Sequence, residues 1–96
     1  MRNFFYTDGV KYLAETAHAY WLIDLVASAQ LEPEVSVHPF QAWMLRVDED
    51  KAEGEIIATD GNDTTIYTQP LFYTDFPLPT VTLFYSDGVL MLPNEY

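Results

Sequence analysis

Cysteine is missing from this 96-residue chain, and with it go disulfides, thiolate catalysis and thiolate-held zinc or iron–sulfur centres. Positive charge is nearly as scarce, since four Lys and Arg stand against fifteen Asp and Glu, a formal charge of −11. Such a surface repels phosphate. Direct nucleic-acid binding is therefore disfavoured, and a basic protein surface becomes the expected partner. Long apolar runs are lacking as well: no stretch approaches the roughly 18 residues of a membrane span. The opening Met1-Arg2-Asn3-Phe4-Phe5 has neither the apolar core nor the cleavage site of a signal peptide. A cytoplasmic chain with no membrane partner is the expectation. Glycine is sparse and scattered (Gly9, Gly54, Gly61, Gly88), so no phosphate-binding loop, dinucleotide fingerprint or G-x-S-x-G elbow is present, and no motif supports enzymatic activity or a cofactor.

What is abundant is apolar and aromatic. Hydrophobic residues make up 49% of the chain, with seven Tyr, six Phe and two Trp, a composition that folds where disordered acidic chains do not. The length suits a single domain over 1–96, read as helical 7–30, a connecting loop 31–40 and a sheet 41–93. Thr7-Asp8-Gly9 can open a helix, and Val10, Leu13, Ala14 and Ala17 follow at i, i+3, i+4 and i+7, one apolar stripe. His18 is read as a bend. Tyr20 to Ala29 is apolar almost all round and is expected as the central helix, covered on most sides. Pro33 and Pro39 end helical structure, so Leu31 to Phe40 is expected to run extended.

Strand signals follow. Trp43, Leu45 and Val47 alternate with polar or small neighbours, Asp48-Glu49-Asp50-Lys51 is a charged turn, and Ala52 to Thr59 returns with Gly54, Ile56 and Ala58 on one face and Glu53, Glu55 and Ile57 on the other. Asp60-Gly61-Asn62-Asp63 is a second turn before Thr64 to Gln69. Pro70, Pro77 and Pro79 mark an irregular or edge passage. Thr80 to Tyr85 and Val89 to Leu92 flank the hairpin signal Asp87-Gly88. Helices first and strands afterwards predict an α+β domain, with one or two N-terminal helices packed on a four- to five-stranded mostly antiparallel sheet. Phe5-Tyr6-Thr7-Asp8, Phe72-Tyr73-Thr74-Asp75 and Phe84-Tyr85-Ser86-Asp87 share a pattern in which an aromatic pair precedes hydroxyl and carboxylate acceptors at an element's end.

Several residues invite a chemical reading. Asp24 lies within an apolar helix; buried alone it would stay protonated and suit general-acid work, whereas on an exposed stripe, or bonded to a Tyr or Arg46, it is structural. His18 and His38 have no second ligand at helical or hairpin spacing, so no metal site is expected. Asp60, Asn62 and Thr64 imitate the opening of a calcium loop, but the turn glycine and distal Glu are out of register. The strongest candidates are partner-binding. Asp48, Glu49, Asp50, Glu53 and Glu55 crowd one hairpin, with Glu53 and Glu55 on one strand face about 6.6 Å apart; they make either a phosphate-like array for a basic groove or a solvated edge that prevents strand-to-strand aggregation. Asp60 and Asp63 extend the acidic set. Tyr67, Phe72, Tyr73 and Phe76 cluster near the proline-rich passage and supply aromatic anchors or core filling.

The stretches YTDGVKYLAE (6–15), AYWLIDLVAS (19–28), TDFPL (74–78) and GVLMLPNEY (88–96) together resemble an uncharacterised family of small bacterial and mobile-element proteins. That family is known only as a domain of unknown function. The resemblance implies no activity, cofactor or catalytic residue. Members carry a polar and aromatic lead-in before the YTDG stretch, where this chain has Met1 to Phe5.

The expected function is accordingly a non-enzymatic acidic interaction domain, a mobile-element or phage inhibitor docking phosphate-like carboxylates on a nucleic-acid-handling host protein. An acid–base enzyme or hydrolase around Asp24, and a structural homodimer through the aromatics, are the alternatives.

Overall fold

The computed structural model describes residues 4–74 and 76–96. Its elements are β1 (Phe5–Tyr6), α1 (Asp8–Ala17), α2 (Tyr20–Ala29), α3 (Pro33–Ser36), β2 (Phe40–Asp48), β3 (Glu53–Thr59), β4 (Thr65–Leu71), β5 (Thr80–Ser86) and β6 (Val89–Met91), closed by a 3-10 turn at Pro93–Glu95. The strands form one sheet in the order β1-β6-β5-β2-β3-β4, antiparallel except for the β1–β6 pair. The α+β class holds. The sheet has six strands rather than four or five, because the two-residue β1 joins the far edge alongside β6, and two residues are too few to show a period.

Thr7 caps α1 by accepting the Val10 N–H at 3.2 Å. Val10, Ala14 and Ala17 are buried, as the stripe required. The bend at His18 is present. This residue takes the left-handed conformation (φ 54°, ψ 45°), and the Ala19 N–H reaches back to the Ala14 carbonyl at 2.8 Å, which terminates α1 and releases α2 in a new direction. Helix α2 has the expected bounds but not the expected cover. Leu22, Ile23, Val26 and Ala29 are buried, while Tyr20, Asp24 and Ser28 form an exposed stripe at i, i+4 and i+8. Leu31 to Phe40 is not simply extended either. Pro33 opens the short α3, since a proline's fixed φ and missing N–H suit a first helical position.

The helices cover one face of the sheet. Trp43 and Leu45 of β2 lie opposite Ala58 and Ile56 of β3, and opposite Leu83 and Val81 of β5. Trp43, Leu45, Ile56, Ala58 and Leu83 are all buried. Burying a Leu or Ile side chain contributes about 1.5–3 kcal/mol. On the other face Phe40, Phe84 and Tyr96 meet edge-on with centroids 5.1–5.7 Å apart. The two ends of the chain also close on each other. The Thr7 hydroxyl donates to Glu95 Oε1 at 2.6 Å, and the Leu92 N–H donates to the same oxygen at 2.9 Å. A Cβ on Gly9 would stand 2.9 Å from that carboxylate, so the glycine of YTDG leaves room for the glutamate of PNEY. Glu95 is held below the ordinary carboxylate range, first by the Thr7 hydroxyl and then by the Leu92 N–H.

The recurring aromatic–hydroxyl–acid pattern marks element ends as expected at two places: Thr7 caps α1, and Asp87 (φ 50°) with Gly88 (φ 90°) makes the β5–β6 turn. At the third, Thr74 Oγ1 accepts the Phe76 N–H at 3.2 Å, and Asp75 lies outside the described residues.

An acidic and aromatic end as the candidate functional site

Strands β2 and β3 meet in a turn whose own carboxylate helps to build it. Asp48 Oδ1 accepts the Asp50 N–H at 3.1 Å, and the Lys51 N–H reaches the Asp48 carbonyl at 3.3 Å. Ala52 takes the left-handed conformation (φ 54°), and the chain enters β3. Asp48 is then paired directly with Glu53, and Arg46 with Glu55, on the sheet face away from the helices. Like charges placed directly opposite each other disfavour the strand pair, so the Asp48–Glu53 juxtaposition is not there for stability. Asp48, Glu49, Asp50, Glu53 and Glu55 are all exposed. Arg46 and Lys51 are the neighbouring cations, and the Arg46 Nε donates to Met44 Sδ at 3.3 Å.

The β4–β5 connection folds back onto this turn. The Thr74 N–H donates to the Ala52 carbonyl at 2.7 Å, and the Val47 N–H to the Pro79 carbonyl at 2.8 Å. Thr74 and Phe76 are buried and pin the connection down. Phe72 and Tyr73, by contrast, stand 84% and 79% exposed beside the carboxylates, with Leu78 exposed as well. The fold therefore brings together seven of the residues singled out from sequence: Asp48, Glu49, Asp50, Glu53, Glu55, Phe72 and Tyr73.

Four others do not join them. Tyr67 lies on the helix-covered face, half-buried, 5.3 Å from the Trp43 ring, with its hydroxyl donating to Gln69 Oε1 at 2.7 Å. Burial, and then the charge of Glu32, push its pKa up. Asp60 and Asp63 occupy the β3–β4 turn at the opposite end of β3. The Asp60 carboxylate accepts the N–H groups of Asn62 (2.8 Å) and Thr64 (3.3 Å), and the Asn62 contact foremost holds its pKa below the usual range. That is turn chemistry, and it also accounts for the likeness to a calcium loop. Phe76 is core rather than surface. The aromatics as a whole divide, with Trp43, Phe76 and Tyr85 inside and Phe5, Tyr12, Phe72, Tyr73 and Tyr96 outside.

Asp24 sits on the exposed stripe of α2 rather than inside the core. His18 ends a helix and His38 precedes β2. Among the described residues no three His, Asp or Glu are grouped to hold a metal ion, and no helix is long and apolar enough to cross a membrane.

The architecture and this end define a small α+β domain with a carboxylate-rich, aromatic-tipped extremity. The chain belongs to the family of unknown function DUF6876, whose model matches residues 1–96. No curated protein and no solved structure matches it.

Proposed function

We propose that this domain is a non-enzymatic, acidic protein-interaction module that docks the β2–β3 end on a basic surface of another cytoplasmic protein. The observation that carries the reading is the meeting of five exposed carboxylates with two exposed aromatic rings on a turn and a connection tied by backbone hydrogen bonds. Fixed carboxylates steer a cationic partner into place, and rings such as Phe72 and Tyr73 supply the desolvated contact that slows dissociation. In its finer form the partner handles nucleic acid, and the carboxylates of Asp48, Glu53 and Glu55 take the place of a run of phosphates. An inhibitor carried by a phage or other mobile element would act in this way. A homodimer through the same end is the weaker reading, because the carboxylates of two copies would face each other.

The test captures partners from a bacterial lysate on the immobilised domain at low and high salt, with duplex DNA as competitor. A salt-sensitive partner should be retained, be displaced by DNA, and bind at least about tenfold more weakly to the Glu49→Gln/Glu53→Gln/Glu55→Gln variant. Undiminished binding by that variant would exclude the acidic face. Insensitivity to DNA would remove the phosphate-like form.

A further inference from the structure

At the other end of the strands, far from the acidic turn, the C-terminal end of α2, the segment leading into β2 and the β5–β6 turn border a solvent-open cavity of about 530 Å³, with Leu31 and Asp87 exposed at its rim. That is within the size range of small-molecule sites. Its lining carries one carboxylate, Asp87, and one imidazole, His38, among apolar, aromatic and uncharged polar residues. Phe4 and Tyr85 stack with centroids 5.3 Å apart and planes within 16°, an aromatic wall of the kind that attracts cations. Asp87 also lines it, fixed in a tight turn by its left-handed backbone and by its N–H donating to the Pro39 carbonyl at 3.2 Å. Leu31 and Gln30, just past α2, line it too, and the C-terminus of a helix carries partial negative charge. Among the described residues no Lys or Arg lines the cavity.

The support behind this lining is rigid. Gln41 is fully buried, and its amide is paired reciprocally with that of Gln30 at 2.8 and 2.9 Å. It also donates to the carbonyls of Val35 and His38 at 3.0 and 3.1 Å and accepts the Trp43 indole N–H at 2.9 Å. This network locks α2, α3 and the start of β2 together. One wall of the cavity, from α2 to the start of β2, is thus held in place before any ligand arrives.

We infer that this cavity binds a small organic cation: a guanidinium, amidinium or amine on an apolar stem, with its charge at Asp87 and its stem against the aromatic pair and Leu31. Such a cation comes either as a free molecule or as an arginine side chain of another protein. The site does not depend on the acidic end proposed above.

The test is an NMR titration of the ¹⁵N-labelled chain in physiological salt with benzamidine, its neutral isostere benzamide, agmatine, and arginine blocked at both its amino and carboxyl groups. Benzamidine should shift the amides of Leu31, His38, Asp87 and Gly88 and bind at least about tenfold more tightly than benzamide. Asp87→Asn, which tolerates the left-handed backbone, should reduce benzamidine to the level of benzamide. The Glu49→Gln/Glu53→Gln/Glu55→Gln variant should leave it unchanged, which separates this site from the acidic end. Binding of both agmatine and blocked arginine would assign the cavity to a protein side chain, and agmatine alone to a free cation. Equal binding of benzamidine and benzamide, shifts confined to residues 48–55, or no shifts at all would overturn the inference.

Discussion

The two ends of this sheet solve opposite problems. At the β2–β3 end, charge is held outward: carboxylates stand in solvent, Asp48 faces Glu53 across the strands, and Phe72 and Tyr73 remain uncovered. At the β5–β6 end, polarity is turned inward, where Gln41 is buried and its amide is fully engaged. The exposed carboxylates and rings of the first end add little to stability, whereas the buried amide network of the second adds more. A small domain that leaves like charges and large rings exposed on one extremity, while fastening the other, has one end suited to docking and another suited to holding its shape.

The sharpest way to break that contrast is Gln41→Leu. It would deprive the Trp43 indole N–H, the Gln30 side-chain oxygen and the His38 carbonyl of their Gln41 partner, while the Val35 carbonyl keeps the His38 N–H and the Gln30 amide N–H keeps the Val26 carbonyl. Unsatisfied buried groups cost about 1–3 kcal/mol each, so a loss of about 3 kcal/mol is expected in urea unfolding followed by tryptophan fluorescence. A loss under about 0.5 kcal/mol would show that the network does not brace the cavity end.

Between the two ends, the Thr7–Glu95 clasp provides a reference of intermediate weight. Removing a helix cap costs about 1 kcal/mol, so Thr7→Ala should destabilise by about that amount. The pH dependence has a definite sign. Glu95 has a lowered pKa in the fold, so its contribution is present above the unfolded carboxylate value and is lost as pH falls through the folded one. In Thr7→Ala the chief cause of that lowering is gone, and the acid-side decline in stability should flatten. An unchanged slope in unfolding curves between neutral and acidic pH would count against the clasp.

The smallest effect on stability is expected at the docking end. Phe72→Ser with Tyr73→Ser should alter unfolding free energy by no more than about 0.5 kcal/mol, as exposed positions do, while shortening the lifetime of the partner complex. The carboxylate substitutions, by comparison, should act mainly on association rate and its salt dependence. Marked destabilisation by the double Ser variant would mean that the rings serve the fold rather than an interface.

Much of the fold was legible because it rests on near-neighbour rules. The stripe of Val10, Ala14 and Ala17, the alternation of Trp43 and Leu45, the Asp87-Gly88 hairpin and the bend at His18 each express a period or a turn preference within a few residues. Where the reading failed, distant partners decided. The exposed stripe of α2 depends on which side of the helix meets the sheet, and ten nearly uniform apolar residues do not specify it. Strand β1 exists only because β6 is there to pair with. Tyr67 and Phe76 read no differently from Phe72 and Tyr73, yet two turn inward and two outward.

Composition and local pattern alone determined the charge, the α+β class and the acidic turn, because charge is additive and periodicity is local. Tertiary structure alone decided that Thr74 binds Ala52 and so sets aromatic rings beside carboxylates, and that residues 4, 30, 38 and 87 border one cavity. Contacts between residues far apart in the chain form only when the whole core closes, and no short window of sequence contains them.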